Sequence, residues 1–174
     1  MNSSQKFNFK LAERFLEDWA DPPEDPLGEL SDFEMGWRCF CFEHNHKVFI
    51  EIGDDQKEVF LDPDICMMIE SNFPKEIAKL SQGQKIVITF SESWFIITLL
   101  PTDDRISCTL TKFGTSCWEK VFEFDRTHVL NTLRGFLQEV MQLAVDKGYI
   151  TLEEKEEFIR PAFASSTDAA VLSK

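Results

Sequence analysis

Residues 86–147 read IVITFSESWFIITLLPTDDRISCTLTKFGTSCWEKVFEFDRTHVLNTLRGFLQEVMQLAVDK, and the patterning of this stretch decides the fold class. Four segments in it alternate apolar and polar residues with period two, the spacing that collects one set of side chains on one face of a strand. The sets are Ile86, Ile88 and Phe90; Phe95, Ile97 and Leu99; Ile106, Cys108 and Leu110; and Trp118, Phe122 and Phe124. Polar turns at 91–93, 102–104 and 113–115 join them into a meander. After Asp125, a residue suited to cap a helix start, the period changes. Val129, Leu130, Leu133, Phe136, Leu137, Val140, Met141 and Ala144 recur at three- and four-residue spacing and make one broad apolar stripe, closed by Gly148. A sheet with one apolar face and a helix with one apolar stripe cover each other. The predicted class is therefore α+β, with antiparallel meander sheets packed against helices.

Working outward toward the N-terminus, 36–42, 48–52 and 58–61 read as a first meander of three short strands, punctuated by His44-Asn45-His46 and Gly53-Asp54-Asp55. Asp62 is then placed as a helix N-cap with Pro63 at the first helical position and Asp64 favoured by the helix dipole. Pro74 cannot donate to Glu70, which predicts a break near Ser71-Asn72, and Gly83 ends the segment. At the chain start, Phe7, Phe9, Leu11, Ala12, Phe15, Leu16 and Trp19 are mostly spaced for a short amphipathic helix, with Lys10, Glu13, Arg14 and Glu17 left for solvent. On the other side, Thr151 and Glu154 form a capping-box pattern for a last helix that is expected to stop at Ile159, before Pro161. The predicted order is α-βββ-α-ββββ-α-α. It forms one domain over 1–163 and a fraying tail over 164–174.

Between the first helix and the first strand, 17–34 carries eight carboxylates, no Lys or Arg, and Pro22, Pro23 and Pro26. Proline at that density suits neither a helix interior nor a central strand, so 21–35 is expected to be an acidic surface loop. Its carboxylates Asp21, Glu24, Asp25, Glu29 and Asp32 are candidate contacts for a basic partner. Trp94 joins them as an apolar candidate: with Ile96 and Leu100 it makes the second face of its strand apolar too, as in a strand that protein covers on both sides.

Bulk properties narrow the function classes. The 174 residues are enough for one ordinary core. Seventeen Phe against one Tyr mean that the core is filled by rings without polar handles. A formal charge of −13 argues against phosphate backbones and anionic lipid as partners and favours basic protein surfaces. Cys39, Cys41, Cys66, Cys108 and Cys117 are odd in number and lack paired spacing, which points to free thiols and a cytoplasmic setting. No apolar run has the length of a membrane span.

Catalytic signatures are missing: no Gly-x-Ser-x-Gly, no His-Glu-x-x-His and no glycine-rich phosphate loop occurs. Cys41, His44 and His46 are metal-ligand types in one short stretch, yet a structural zinc site wants four ligands and even Cys39 would enter at an unusual spacing, so no metal and no cofactor is expected. Asp54-Asp55, Asp62/Asp64 and Asp103-Asp104 sit where turns and caps already favour Asp. His128, three residues past the cap, reads as a residue of the helix start.

The element order combined with acidity resembles the small dimeric chaperones of type III secretion, which implies an effector segment held on apolar patches. It also resembles the acidic immunity proteins that neutralise basic toxin domains. The expectation is a non-catalytic acidic protein-binding module, in the first place an immunity or inhibitor protein and in the second a chaperone, with a homodimer compatible with either. An enzyme built on the paired aspartates comes third.

Overall fold

A computed structural model describes residues 6–14 and 21–164. Along the chain it places β1 (Lys6–Arg14), α1 (Asp32–Glu43), β2 (His46–Gly53), β3 (Asp55–Phe60), α2 (Cys66–Glu70), α3 (Phe73–Ser81), β4 (Ile86–Phe90), β5 (Phe95–Thr102), β6 (Arg105–Lys112), β7 (Trp118–Asp125), α4 (Arg126–Asp146) and α5 (Leu152–Phe163). Two antiparallel meanders result, one of three strands in the order β1-β2-β3 and one of four in the order β4-β5-β6-β7. This is the α+β architecture that the patterning predicts.

Two segments exchange type relative to the sequence reading. Residues 7–14 of the expected first helix form β1, which pairs with β2 from Phe7↔Ile52 to Leu11↔Val48; the remainder, including Phe15 and Trp19, lies outside the described residues. Phe7, Phe9 and Leu11 also alternate with period two, and a ladder to β2 satisfies their backbone as well as a helix would. The expected strand at 36–42 belongs instead to α1. Ser31 caps it by accepting from Glu34 N–H at 3.1 Å, and Trp37, Phe40 and Cys41 bury one side at helical spacing. Asp32 thus stands in the first helical turn rather than in a loop.

The second half follows its pattern closely. Asp125 caps α4 by accepting from His128 N–H at 2.9 Å, and all eight residues of the stripe are buried. Phe9 meets Phe136 at 5.4 Å between ring centroids and Phe7 meets Phe124 at 5.3 Å, so the two sheets and α4 share one core. α4 also covers the free side of β1, where His128 Nε2 and Thr132 Oγ1 lie 3.0 and 3.4 Å from the Phe7 carbonyl and donate to it.

Two boundaries differ and one holds. Leu61–Ile65 is a wide turn in which Asp62 is extended, so Asp62 caps no helix; Asn45 instead pairs with its backbone in both directions, at 2.9 and 3.1 Å. The expected break before Pro74 is there: Asn72 takes a left-handed conformation between α2 and α3. α5 continues through Pro161 to Phe163, because a proline in the last turn forfeits a single bond back to Glu157. Arg134 Nε closes that end by donating to the Ala162 carbonyl at 2.6 Å.

Candidate functional site

α5 has two working faces. Lys155, Ile159 and Ala162 are buried against the domain, while Glu154, Glu157, Phe158 and Pro161 recur at i, i+3, i+4 and i+7 and share the other side. That second face forms one wall of a groove of about 550 Å³, whose other walls are Ser31 and Phe33 at the start of α1 and Asn72, Pro74 and Lys75 at the start of α3. The Phe33 and Phe158 rings pack 4.9 Å apart. Beside them Pro74 and Pro161 present apolar surface without an N–H. Two carboxylates and one ammonium group, Lys75, supply the charge of the lining.

The acidic arm runs directly into this groove, since Ser31 is both the end of the arm and part of the lining. Within the arm the structure separates the candidates. Asp25 holds its own turn, accepting from Glu29 N–H at 2.9 Å and Leu30 N–H at 3.1 Å. Asp32 faces the positive end of α1. Asp21, Glu24 and Glu29 are exposed, as is Leu27 at 79%. Trp94 does not line the groove. It sits in the connection before β5 in a left-handed conformation, 56% exposed, 5.7 Å from the Phe113 ring. It therefore belongs to no strand, although Leu100, Val87 and Val121 do leave the outer face of the four-stranded sheet partly apolar and exposed.

The metal-type residues are not brought together. Cys41 is buried in α1, His44 stacks on Phe40 and meets Tyr149 edge-on at 5.4 Å, and His46 Nδ1 lies 2.7 Å from the Ala12 carbonyl. Among the described residues no group of three or more His, Cys, Asp or Glu side chains is arranged to hold a metal ion. Asp54 and Asp103-Asp104 occupy turns and Asp55 opens β3; Asp55 pairs with Lys120 at 2.7 Å, and the Asp103 and Asp104 carbonyls accept from Arg126.

Two polar clusters went unnoticed in the sequence. The Tyr149 hydroxyl donates to Glu43, and this bond, helped by burial, pushes the phenol up to about 12. Burial, with Arg14 and Lys147 nearby, holds His44 below its ordinary value. Asp64 is buried, with Oδ2 accepting from Ser93 Oγ at 3.1 Å and Phe60 N–H at 3.3 Å, while Oδ1 has no hydrogen-bond partner among the described residues. Burial pushes its carboxyl above the ordinary range. Neither cluster contains a nucleophile poised beside a base, and burial raises the thiols of Cys39, Cys41 and Cys108, the opposite of activation. No signal short of the tertiary contacts pairs Glu43 with Tyr149 or Asp64 with Ser93.

No protein-family model matches this chain, and no curated protein and no solved structure does either. Among the described residues, no helix is long and apolar enough to cross a membrane.

Proposed function

We propose that this chain is a non-catalytic protein-binding module whose groove takes a basic segment of another protein, with an apolar side chain of that segment seated between Phe33, Phe158, Pro74 and Pro161. The observation that carries this reading is the pairing of an apolar floor with one carboxylate-bearing wall, where Glu157 stands beside the cap residue Glu154, at the root of a lysine-free acidic arm. Its volume falls within the range of roughly 300–1,000 Å³ common to preformed binding pockets, sufficient for an anchoring side chain. Apolar burial supplies the affinity, and the acidic arm and rim steer the approach. An inhibitor or immunity role is the form of this activity that best suits the charge, because a strongly acidic surface can occlude a basic cleft.

The test uses a synthetic amphipathic peptide rich in Lys and Arg with Phe and Leu at i, i+4 spacing, followed by backbone amide shifts. Saturable shifts should concentrate at Phe33, Asn72, Lys75 and Phe158, and binding should weaken with salt and with Glu157→Lys. Glu119→Lys on β7 alters net charge equally and should leave affinity nearly unchanged. Equal weakening by both variants would reduce the effect to bulk charge and overturn the groove. Binding that survives salt and is lost in Trp94→Ser would move the site to the exposed apolar surface around Trp94, as the chaperone reading requires.

A further inference from the structure

The core-facing rows of three strands end in lysine. On β3, buried Val59 is followed on the same side by Lys57 and Asp55; on β7, Phe124 and Phe122 are followed by Lys120 and Trp118; on β6, Ile106, Cys108 and Leu110 are followed by Lys112. These ends converge. Lys57 Nζ lies 4.7 Å and Lys120 Nζ 5.0 Å from the centroid of the Trp118 ring, and Lys112 is the direct cross-strand neighbour of Trp118.

The charge balance here is the reverse of that of the chain. Carboxylates outnumber Lys and Arg by 31 to 18 overall, yet among the described residues Asp55 alone forms an ion pair with this cluster, through Lys120, with Asp54 a weaker influence on the same lysine. Lys57 and Lys112 have no carboxylate at ion-pair distance among the described residues. Inward-pointing lysines do protect the edges of sheets from pairing with other chains, which accounts for Lys57 on β3 and Lys120 on β7, both edge strands. It does not account for Lys112, because β6 is an interior strand.

The geometry points to a binding site for a phosphate-type dianion, held by Lys57, Lys112 and Lys120 beside Trp118 where β3 and β7 meet. With Asp55 offsetting one ammonium, two positive charges remain, and a phosphate monoester carries about −1.5 to −2 at neutral pH. A single carboxylate would leave one ammonium uncompensated. Burial already lowers Lys57, Lys112 and Lys120 add to that against the pull of Asp55, and a bound dianion would reverse the shift.

Inorganic phosphate, titrated at constant ionic strength against chloride and followed at the lysine Cε and Trp118 indole resonances, tests the site. Saturable shifts at Lys57, Lys112 and Trp118 are expected, with a rise in the Lys57 titration midpoint and about tenfold weaker binding in Lys112→Gln. Lys85→Gln, far along the sequence from the cluster and exposed, should bind as the parent does. A methyl phosphate arm separates the sources: equal affinity identifies the phosphate group of a larger molecule, and loss of binding identifies the free ion. Shifts that stay linear and match chloride, or undiminished binding in a folded Lys112→Gln, would overturn the site.

Discussion

Gly53 ends β2 directly beneath the ring of Phe122, so that a Cβ at position 53 would stand 2.2 Å from Phe122 Cε1. The residue also has φ +62, a conformation that side chains with a Cβ disfavour. The contact is one of the places where the three-stranded sheet meets the four-stranded one. Gly53→Ala should therefore cost about 2–4 kcal/mol, the left-handed penalty and overpacking acting together. Urea unfolding measures it, and a loss below about 1 kcal/mol would mean that Phe122 swings aside freely.

Phe136 anchors the opposite side of the same core, 2% exposed and packed on Phe9. Replacing it with Ala should cost about 3–5 kcal/mol from lost transfer energy and the cavity left behind. Calorimetry or denaturant titration would show a much smaller effect if the α4 stripe were not the interior.

The α4 stripe and the four strands before it were legible because each residue's neighbours in sequence are also its neighbours in space. β1 and α1 were not, for two distinct reasons. Phe7, Phe9 and Leu11 fit period two, Phe7 and Leu11 also fit a helical turn, and only β2, more than thirty residues away, decides between them. For α1 the signal was present: Ser31-x-x-Glu34 is a helix-start pattern, and Trp37, Phe40 and Cys41 have helical spacing. The alternation of Trp37, Cys39 and Cys41 competed with it.

Asp64 gives the fold a pH dependence with a definite sign. Its folded carboxyl titrates above the ordinary value of 3.8, so just above that value the folded state binds more protons than the unfolded chain. Its contribution to stability is then greatest in acid and is lost as pH rises through the raised folded value. Asp64→Asn removes the titrating charge, so the stability of the variant relative to the parent should rise with pH, opening a gap that is widest at pH 7. Unfolding curves from pH 3.5 to 7 should show this gap closing toward acid; a gap independent of pH would rule out the buried carboxylate as its cause.

The arm offers a kinetic test of the proposed function. Asp25 is occupied with the turn at Glu29 and Leu30, so charge reversal belongs at the exposed Asp21, Glu24 and Glu29 instead. With a basic amphipathic peptide, the triple Lys variant should associate several-fold more slowly while dissociating at nearly the parent rate, because charges at a rim act on encounter. Salt should slow the parent similarly as the Debye length falls toward about 3 Å at 1 M. Stopped-flow traces in which only dissociation changes would place these residues inside the contact.

The groove itself could not be read from the sequence. Its walls come from three segments that only helix docking brings together, although the spacing of Glu154, Glu157, Phe158 and Pro161 already marks one face of α5. The Glu43–Tyr149 bond, which ties the end of α1 to the connection between α4 and α5, was hidden for the same reason, and it permits the most direct test of this packing. Tyr149 is the chain's single tyrosine, so its ionisation is read without overlap from phenolate absorbance. The hydrogen bond to Glu43 and burial favour the neutral phenol, giving a midpoint near 12 against an ordinary 10.0. Since the folded state holds this proton more tightly, the bond's contribution is intact below pH 10 and fades as pH rises through the folded value. Glu43→Gln should bring the midpoint down toward 10.0, with far-UV circular dichroism confirming that the chain is still folded across the titration. A parent midpoint at the ordinary value, in a chain still folded, would mean that Tyr149 and Glu43 do not meet in solution.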